Sequence, residues 1–167
     1  VQAALMLREQ HGIAPAEVEA IRIRAHEEAV TKPSWDAKKL RPDSKETADH
    51  SFHYCVAVAL VAGEVTSRQF EREWLANAEV HALIDKTTLV ADPALTVLFK
   101  QGARPAALEI KTRRGTFKVE VTHPLGDPKN PMTWQHVRAK FDSQAVPIIG
   151  KAAAENIAQT VARLEHE

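Results

Sequence analysis

The chain has 167 residues, 44% apolar and 26% charged, which suits one soluble domain of ordinary size, with or without a helical appendage, and excludes a disordered composition. Lys and Arg number 22 and Asp and Glu also number 22, so no net field draws the chain to nucleic acid or to an anionic membrane. Cys55 is the single cysteine, which rules out an internal disulfide and a cysteine-rich zinc site, and no apolar run reaches the roughly 18 residues of a bilayer span.

Residues 1–10 read as a helix that stops at Gly12, with Ala4, Leu5 and Leu7 supplying its apolar surface. No capping residue stands in front of it, so the chain reads as a piece of a longer protein. VQAALMLREQHG has neither a basic leader nor a cleavage pattern, and a cytoplasmic location is the expectation. Pro15 and Glu17 open the next segment. Across 20–25, Ile21, Ile23 and Ala25 alternate with Arg22 and Arg24 as in a half-buried strand. Pro33, Pro42 and many charges make 31–46 a long loop. The run from Cys55 to Ala62 is apolar or small throughout, and Gly63 suits a helix end, so 47–62 is expected as one deeply buried helix. Thr66 and Gln69 have capping-box spacing for a helix over about 67–74, and a short helix is expected over about 77–86.

Leu89 and Val90 suggest a short strand. A hairpin follows, with Leu108 and Ile110 on one arm, Arg113-Arg114-Gly115 at the turn, and Phe117, Val119 and Val121 on the other arm. Gly126, Asp127, Pro128, Asn130 and Pro131 form a turn-rich connection. One helix is expected over 133–141, capped by Thr133. Another is expected over 147–165, with an apolar stripe of Ile148, Ile149, Ala152, Ile157, Val161 and Leu164. The fold class is α+β: a small, mainly antiparallel sheet of about three strands with packed helices, then a helical tail.

The densest polar cluster is Asp49, His50, Ser51, Phe52, His53 and Tyr54, at the entry to the apolar helix. On one continuous helix His50 would share a face with both His53 and Tyr54. A His and a Tyr there could work as acid, base or donor to a carboxylate, and the helix N-terminus favours an anion near Thr47 to His50. The plainer alternative has Asp49 and Ser51 capping the first turn and the histidines packing. A metal at His50 and His53 lacks a third ligand, and the helical two-His zinc motif spaces its histidines by four rather than three. Lys38, Lys39 and Arg41 could reach a polycarboxylate or simply be solvated. Arg113 and Arg114 read as exposed charges at the hairpin turn. Trp35, Trp74 and Trp134 are dispersed and make no stacking ladder for single-stranded nucleic acid.

ETADHSFHYCVAVALVAGEVTSRQF resembles the Ser-x-x-Tyr helix signature of the MmgE/PrpD family, and GDPKNPMTWQHVRAKF resembles its Gly-Asp-Pro-x-Asn-Pro and Lys-Phe pattern. VQAAL is similar to the stretch after that family's histidine-containing segment. The resemblance spans essentially the whole chain. It implies a lid domain over 1–123, and a segment over 124–167 that joins a large amino-terminal helical domain lying upstream of Val1. It implies a homodimer acting on small polycarboxylates by proton transfer, without metal, iron–sulfur cluster or other cofactor. The chemistry would be 2-methylcitrate dehydration in propionate catabolism, cis-aconitate decarboxylation or iminodisuccinate epimerisation. Tyr54 and His50 match the family block and become the expected catalytic residues, with Ser51, Lys39 and Arg41 expected to bind substrate. A non-catalytic binding or scaffolding protein derived from the same fold is the alternative.

Overall fold

The computed structural model describes residues 1–31 and 37–164. They form two compact units, Val1–Pro124 and Leu125–Glu167. The expected residues Pro33, Trp35 and the last turn of the tail near 165 lie outside the described residues.

The first unit is α+β. Its elements are α1 (Gln2–His11), β1 (Val18–Ala25), α2 (Glu27–Thr31), α3 (Lys45–Ala48), α4 (Phe52–Ala62), α5 (Arg72–Leu75), α6 (Ala78–Asp85), β2 (Thr87–Ala91), α7 (Pro93–Lys100), β3 (Ala106–Thr112) and β4 (Gly115–Val121). The sheet has four strands rather than three, in the order β2-β1-β3-β4. β1 pairs parallel with β2 and antiparallel with β3, and β3 and β4 form the expected hairpin. The parallel edge was hidden because β2 is only five residues long. Its alternation, Thr87-Thr88-Leu89-Val90-Ala91, is too weak to reveal a pairing across more than sixty residues of chain.

Alternation in β1 puts Ile21, Ile23 and Ala25 inside, and β3 adds Leu108 and Ile110. These strands share one core with Ala4 and Leu7 of α1, Val56 to Leu60 of α4, and Val80, Leu83 and Ile84 of α6. α4 is the central piece. Its residues from Val56 to Leu60 are all buried, which is why its sequence is apolar on every side.

Both ends of α4 are closed by side chains. At the C-terminus Gly63 takes the left-handed conformation at φ 75°, and its N–H returns to Ala59 O. Arg8 of α1 reaches the same turn and donates from Nε to Leu60 O at 2.9 Å. Arg114 is exposed at the hairpin turn, as expected, and there it grips Glu17 with two nitrogens and donates to His11 O and Gly12 O at the C-terminal end of α1. That contact joins the hairpin to α1.

α7 was not anticipated. Asp92 caps it through Ala94 N and Leu95 N, and Pro93 occupies the first turn where its missing N–H costs nothing. The capping box at Thr66 and Gln69 is present. It opens a 3₁₀ turn, Ser67–Phe70, and then the single turn α5, rather than one helix over 67–74.

The second unit contains α8 (Trp134–Ile149) and α9 (Lys151–Arg163). The expected helices, 133–141 and 147–165, are divided differently. α8 continues through Pro147, and the break falls at Gly150, φ 79°. Pro147 lies inside α8 close to its end, where it forfeits one hydrogen bond without ending the helix. Ile148 and Ile149 therefore belong to α8, not to the stripe of α9. Among the described residues of this unit only Ala154 and Ala158 are buried, while Trp134, Val137, Ile157, Val161 and Leu164 are exposed. Trp134, Val137, Phe141, Ile157 and Val161 flank an apolar groove of about 120 Å³ between the two helices.

Two expectations follow. Gly63→Ala forces a Cβ into left-handed backbone and to 2.4 Å from the Arg8 guanidinium. The loss should be about 1–2 kcal/mol in denaturant unfolding. The exposed face of α8 and α9 should make the chain self-associate at high concentration. Sedimentation should show this, and Ile157→Glu with Val161→Glu should return the chain to monomer.

Candidate active site

A helix buried on all sides must satisfy its leading N–H groups internally, and the entry to α4 is built around that requirement. The expected helix over 47–62 is two helices. α3 ends at Ala48, Asp49 and His50 turn, and Ser51 caps α4 by accepting from Tyr54 N at 3.1 Å. Ser51 is buried and donates its own hydrogen to Lys39 O at 2.6 Å. Ser51, expected to bind substrate, here spends its hydroxyl hydrogen on Lys39 O and one lone pair on Tyr54 N.

The break also separates the pair expected to share a helix face. His50 lies before the cap and Tyr54 lies within α4. Tyr54 is fully buried, packs against Phe70 at 5.9 Å between ring centroids, and donates its hydroxyl to Gln69 O at 2.6 Å. Burial, with the Cys55 charge adding to it, pushes the phenol up to about 12. The hydroxyl is a buried group with a satisfied hydrogen bond.

His50 is the opposite. Its side chain is 73% exposed, and Nδ1 sits 2.5 Å from Asp49 Oδ1 and 3.1 Å from Glu46 O. Asp49 was anticipated as a cap, but Ser44 and Ser51 cap the two helices and Asp49 holds the imidazole instead. The adjacent Asp-His pair was the available signal for this contact. It was missed because a single continuous helix would have pointed the two side chains apart.

The basic turn Ala37–Leu40 is tied to this place by the bond from Ser51 to Lys39 O. Lys39 is half-buried. Arg41 donates to Leu40 O and pairs with Asp85 at the end of α6, both side chains being about half exposed. An ion pair that open to water contributes little and exchanges readily for another carboxylate. His53 is half-buried on the first turn of α4, and burial lowers its pKa. Cys55, one turn in, donates to Ala48 O at 3.6 Å, and burial pushes its thiol up to about 11, away from nucleophilic use. Among the described residues no group of three or more His, Cys, Asp or Glu side chains is set to hold a metal. None of the described helices is long and apolar enough to cross a membrane.

The arrangement is thus an exposed carboxylate–imidazole pair beside a basic turn, at the mouth of a buried helix. The sequence model of the MmgE/PrpD C-terminal domain matches residues 1–166. The chain belongs to the MmgE/PrpD family. Among MmgE/PrpD relatives, 2-methylcitrate dehydratase of Cupriavidus necator is 30% identical over 95% of this chain and 32% of its own length. 2-Methylcitrate dehydratase of Salmonella typhimurium is 30% identical over 75% of this chain and 27% of its own length. Cis-aconitate decarboxylase of Mus musculus is 26% identical over 74% of this chain and 25% of its own length. The chain spans about a third or less of the length of these MmgE/PrpD relatives.

The lowered pKa of His53 sets a pH expectation, with His26 contributing in the same direction because burial lowers it too. The unfolded chain takes up protons near the ordinary value of 6.5, whereas the folded chain resists them. Stability should therefore be full above that pH and fall as pH drops below it. Thermal unfolding between about pH 7.5 and about pH 5.5 should show the loss, and His53→Gln should flatten it.

Proposed function

We propose that the chain is the carboxy-terminal part of a cofactor-independent hydro-lyase of the 2-methylcitrate dehydratase type, converting 2-methylcitrate to 2-methyl-cis-aconitate and water. The observation that carries this reading is the relationship to 2-methylcitrate dehydratase of Cupriavidus necator along 95% of the chain. An upstream helical domain supplies the remaining catalytic groups, the Val1–Pro124 unit serves as lid, and two copies form the enzyme. On that reading the isolated chain has no turnover.

Dehydration next to a carboxylate needs a group that moves a proton and cations that hold the substrate's charge. His50 is suited to the first task because its ring reaches solvent with Asp49 behind it. Lys39 and Arg41 are suited to the second, Arg41 by exchanging Asp85 for a substrate carboxylate. Tyr54 and Ser51 are assigned to architecture on the strength of their buried, satisfied hydroxyls. The decarboxylase relative supports a second reading, in which the same groups hold cis-aconitate. Assay against a panel of tricarboxylates, scoring water loss against CO₂ release, separates the two.

In the protein carrying the upstream domain, His50→Gln should lower kcat by roughly 10²–10⁴-fold, the usual general acid–base contribution. Tyr54→Phe should keep kcat within about twofold and cost about 1 kcal/mol of stability, one net hydrogen bond. A collapse of turnover in a well-folded Tyr54→Phe protein would return the phenol to the catalytic list.

A further inference from the structure

We infer that Asp49 is a positioning residue that fixes His50 as the Nδ1–H tautomer and makes Nε2 the atom that gives and takes the proton. The inference rests on the acid–base role given to His50 above and adds the atom and its partner. Nδ1 faces two oxygens, the Asp49 carboxylate at 2.5 Å and the Glu46 carbonyl at 3.1 Å. A carbonyl can only accept, and so can an ionised carboxylate. In the neutral ring the hydrogen must therefore sit on Nδ1, and the lone pair is left on Nε2. That is the less common tautomer of an unrestrained imidazole, so it has to be imposed.

The two imposing groups and the ring they hold sit at successive places in the local chain. Glu46 is inside α3, Asp49 ends that helix by sending its N–H to Lys45 O, and His50 immediately precedes the Ser51 cap of α4. Ser44 holds the front of α3 through Thr47 N, and Ser51 holds the front of α4. The Asp49–His50 link is thereby fixed at both ends by capped helices, although its side chains lie at the surface. Ring orientation is set by the fold and not by chance contact. The ring remains 73% exposed, so Nε2 is open to an incoming substrate.

Asp49 does not take the proton itself. It carries the charge that balances the imidazolium formed when Nε2 is protonated, and it returns the ring to the same tautomer afterwards. The transfer balances at one atom: Nε2 takes the proton from the substrate carbon, the C–H electron pair forms the C=C bond as the C–O bond breaks, and Nε2 gives the proton to the leaving oxygen to make water, while Nδ1–H stays in place throughout.

Long-range ¹H–¹⁵N spectra of the labelled chain, at about pH 8 where an ordinary imidazole is neutral, read the tautomer directly. His50 is expected to show a protonated Nδ1 and an unprotonated Nε2. Asp49→Asn can offer an N–H to Nδ1, so the Nε2–H form should rise. A wild-type His50 protonated at Nε2 overturns the proposal. In the protein carrying the upstream domain, Asp49→Asn should lower kcat by roughly ten- to a hundred-fold with KM changed less than about twofold, and Asp49→Glu should recover part of it. The loss is smaller than the ~10⁴-fold of a buried Ser-His-Asp triad because water competes at an exposed pair. If His50→Gln abolishes turnover but Asp49→Asn leaves kcat unchanged, the positioning role is overturned and the acid–base reading of His50 stands. If His50→Gln retains turnover, the acid–base reading fails and the positioning role falls with it.

Discussion

Everything at the entry to α4 follows from one hydroxyl. α4 is surrounded by α1, α6 and the sheet, and Tyr54 in its first turn is fully buried, so the Tyr54 N–H needs a partner within the fold. Ser51 answers by accepting from Tyr54 N and donating to Lys39 O. The first bond decides where α4 starts. The second anchors the basic turn Ala37–Leu40 to that start. Because the helix starts at the cap and not earlier, Asp49 and His50 are left outside it, facing solvent. A buried structural need has placed an exposed chemical pair.

The same logic sorts the polar residues into two sets. Ser51, Tyr54 and Gln69 are buried, and their polar atoms close on backbone or, for Gln69, also on the side chains of Thr66 and Glu64. Losing one partner there would strand another, which is the expensive event inside a protein. His50, Asp49, Lys39 and Arg41 are wholly or partly exposed, and their contacts can be exchanged against water or a ligand at little cost. Chemistry on an anionic substrate draws naturally on the second set.

The hydrophobic pattern made much of the first unit legible in the sequence. Strict alternation in 20–25 and in the hairpin fixed β1, β3 and β4, and the apolar run from Cys55 to Ala62 fixed the central helix. What escaped were features decided by local hydrogen bonds or by distant contacts. The cap at Ser51 cuts a segment whose composition is helical on both sides. β2 is too short to announce its parallel partner. Arg114 looks like any turn arginine until the fold brings Glu17 and the end of α1 beneath it. The candidate site shared this fate: its residue types were visible, but their grouping depended on a single break in a helix. His50 and Tyr54, joined by spacing, were parted by it, and Asp49 was recovered.

The two units differ in how they meet the requirement for a core. Val1–Pro124 wraps helices around one sheet face and buries Ile21, Ile23, Leu108 and Ile110 against α4. The described residues of Leu125–Glu167 form two helices, and a pair of helices has no third element with which to enclose apolar side chains. Arg138 ties α8 to α9 through Glu155 while also holding Asp142, so the pairing of the helices is set by charge and by the small residues Ala154 and Ala158 between them. The bulkier Trp134, Val137, Ile157 and Val161 are then free to line the outward groove. Charged groups and two alanines set the geometry of this helical pair, and its bulkier apolar side chains stay exposed.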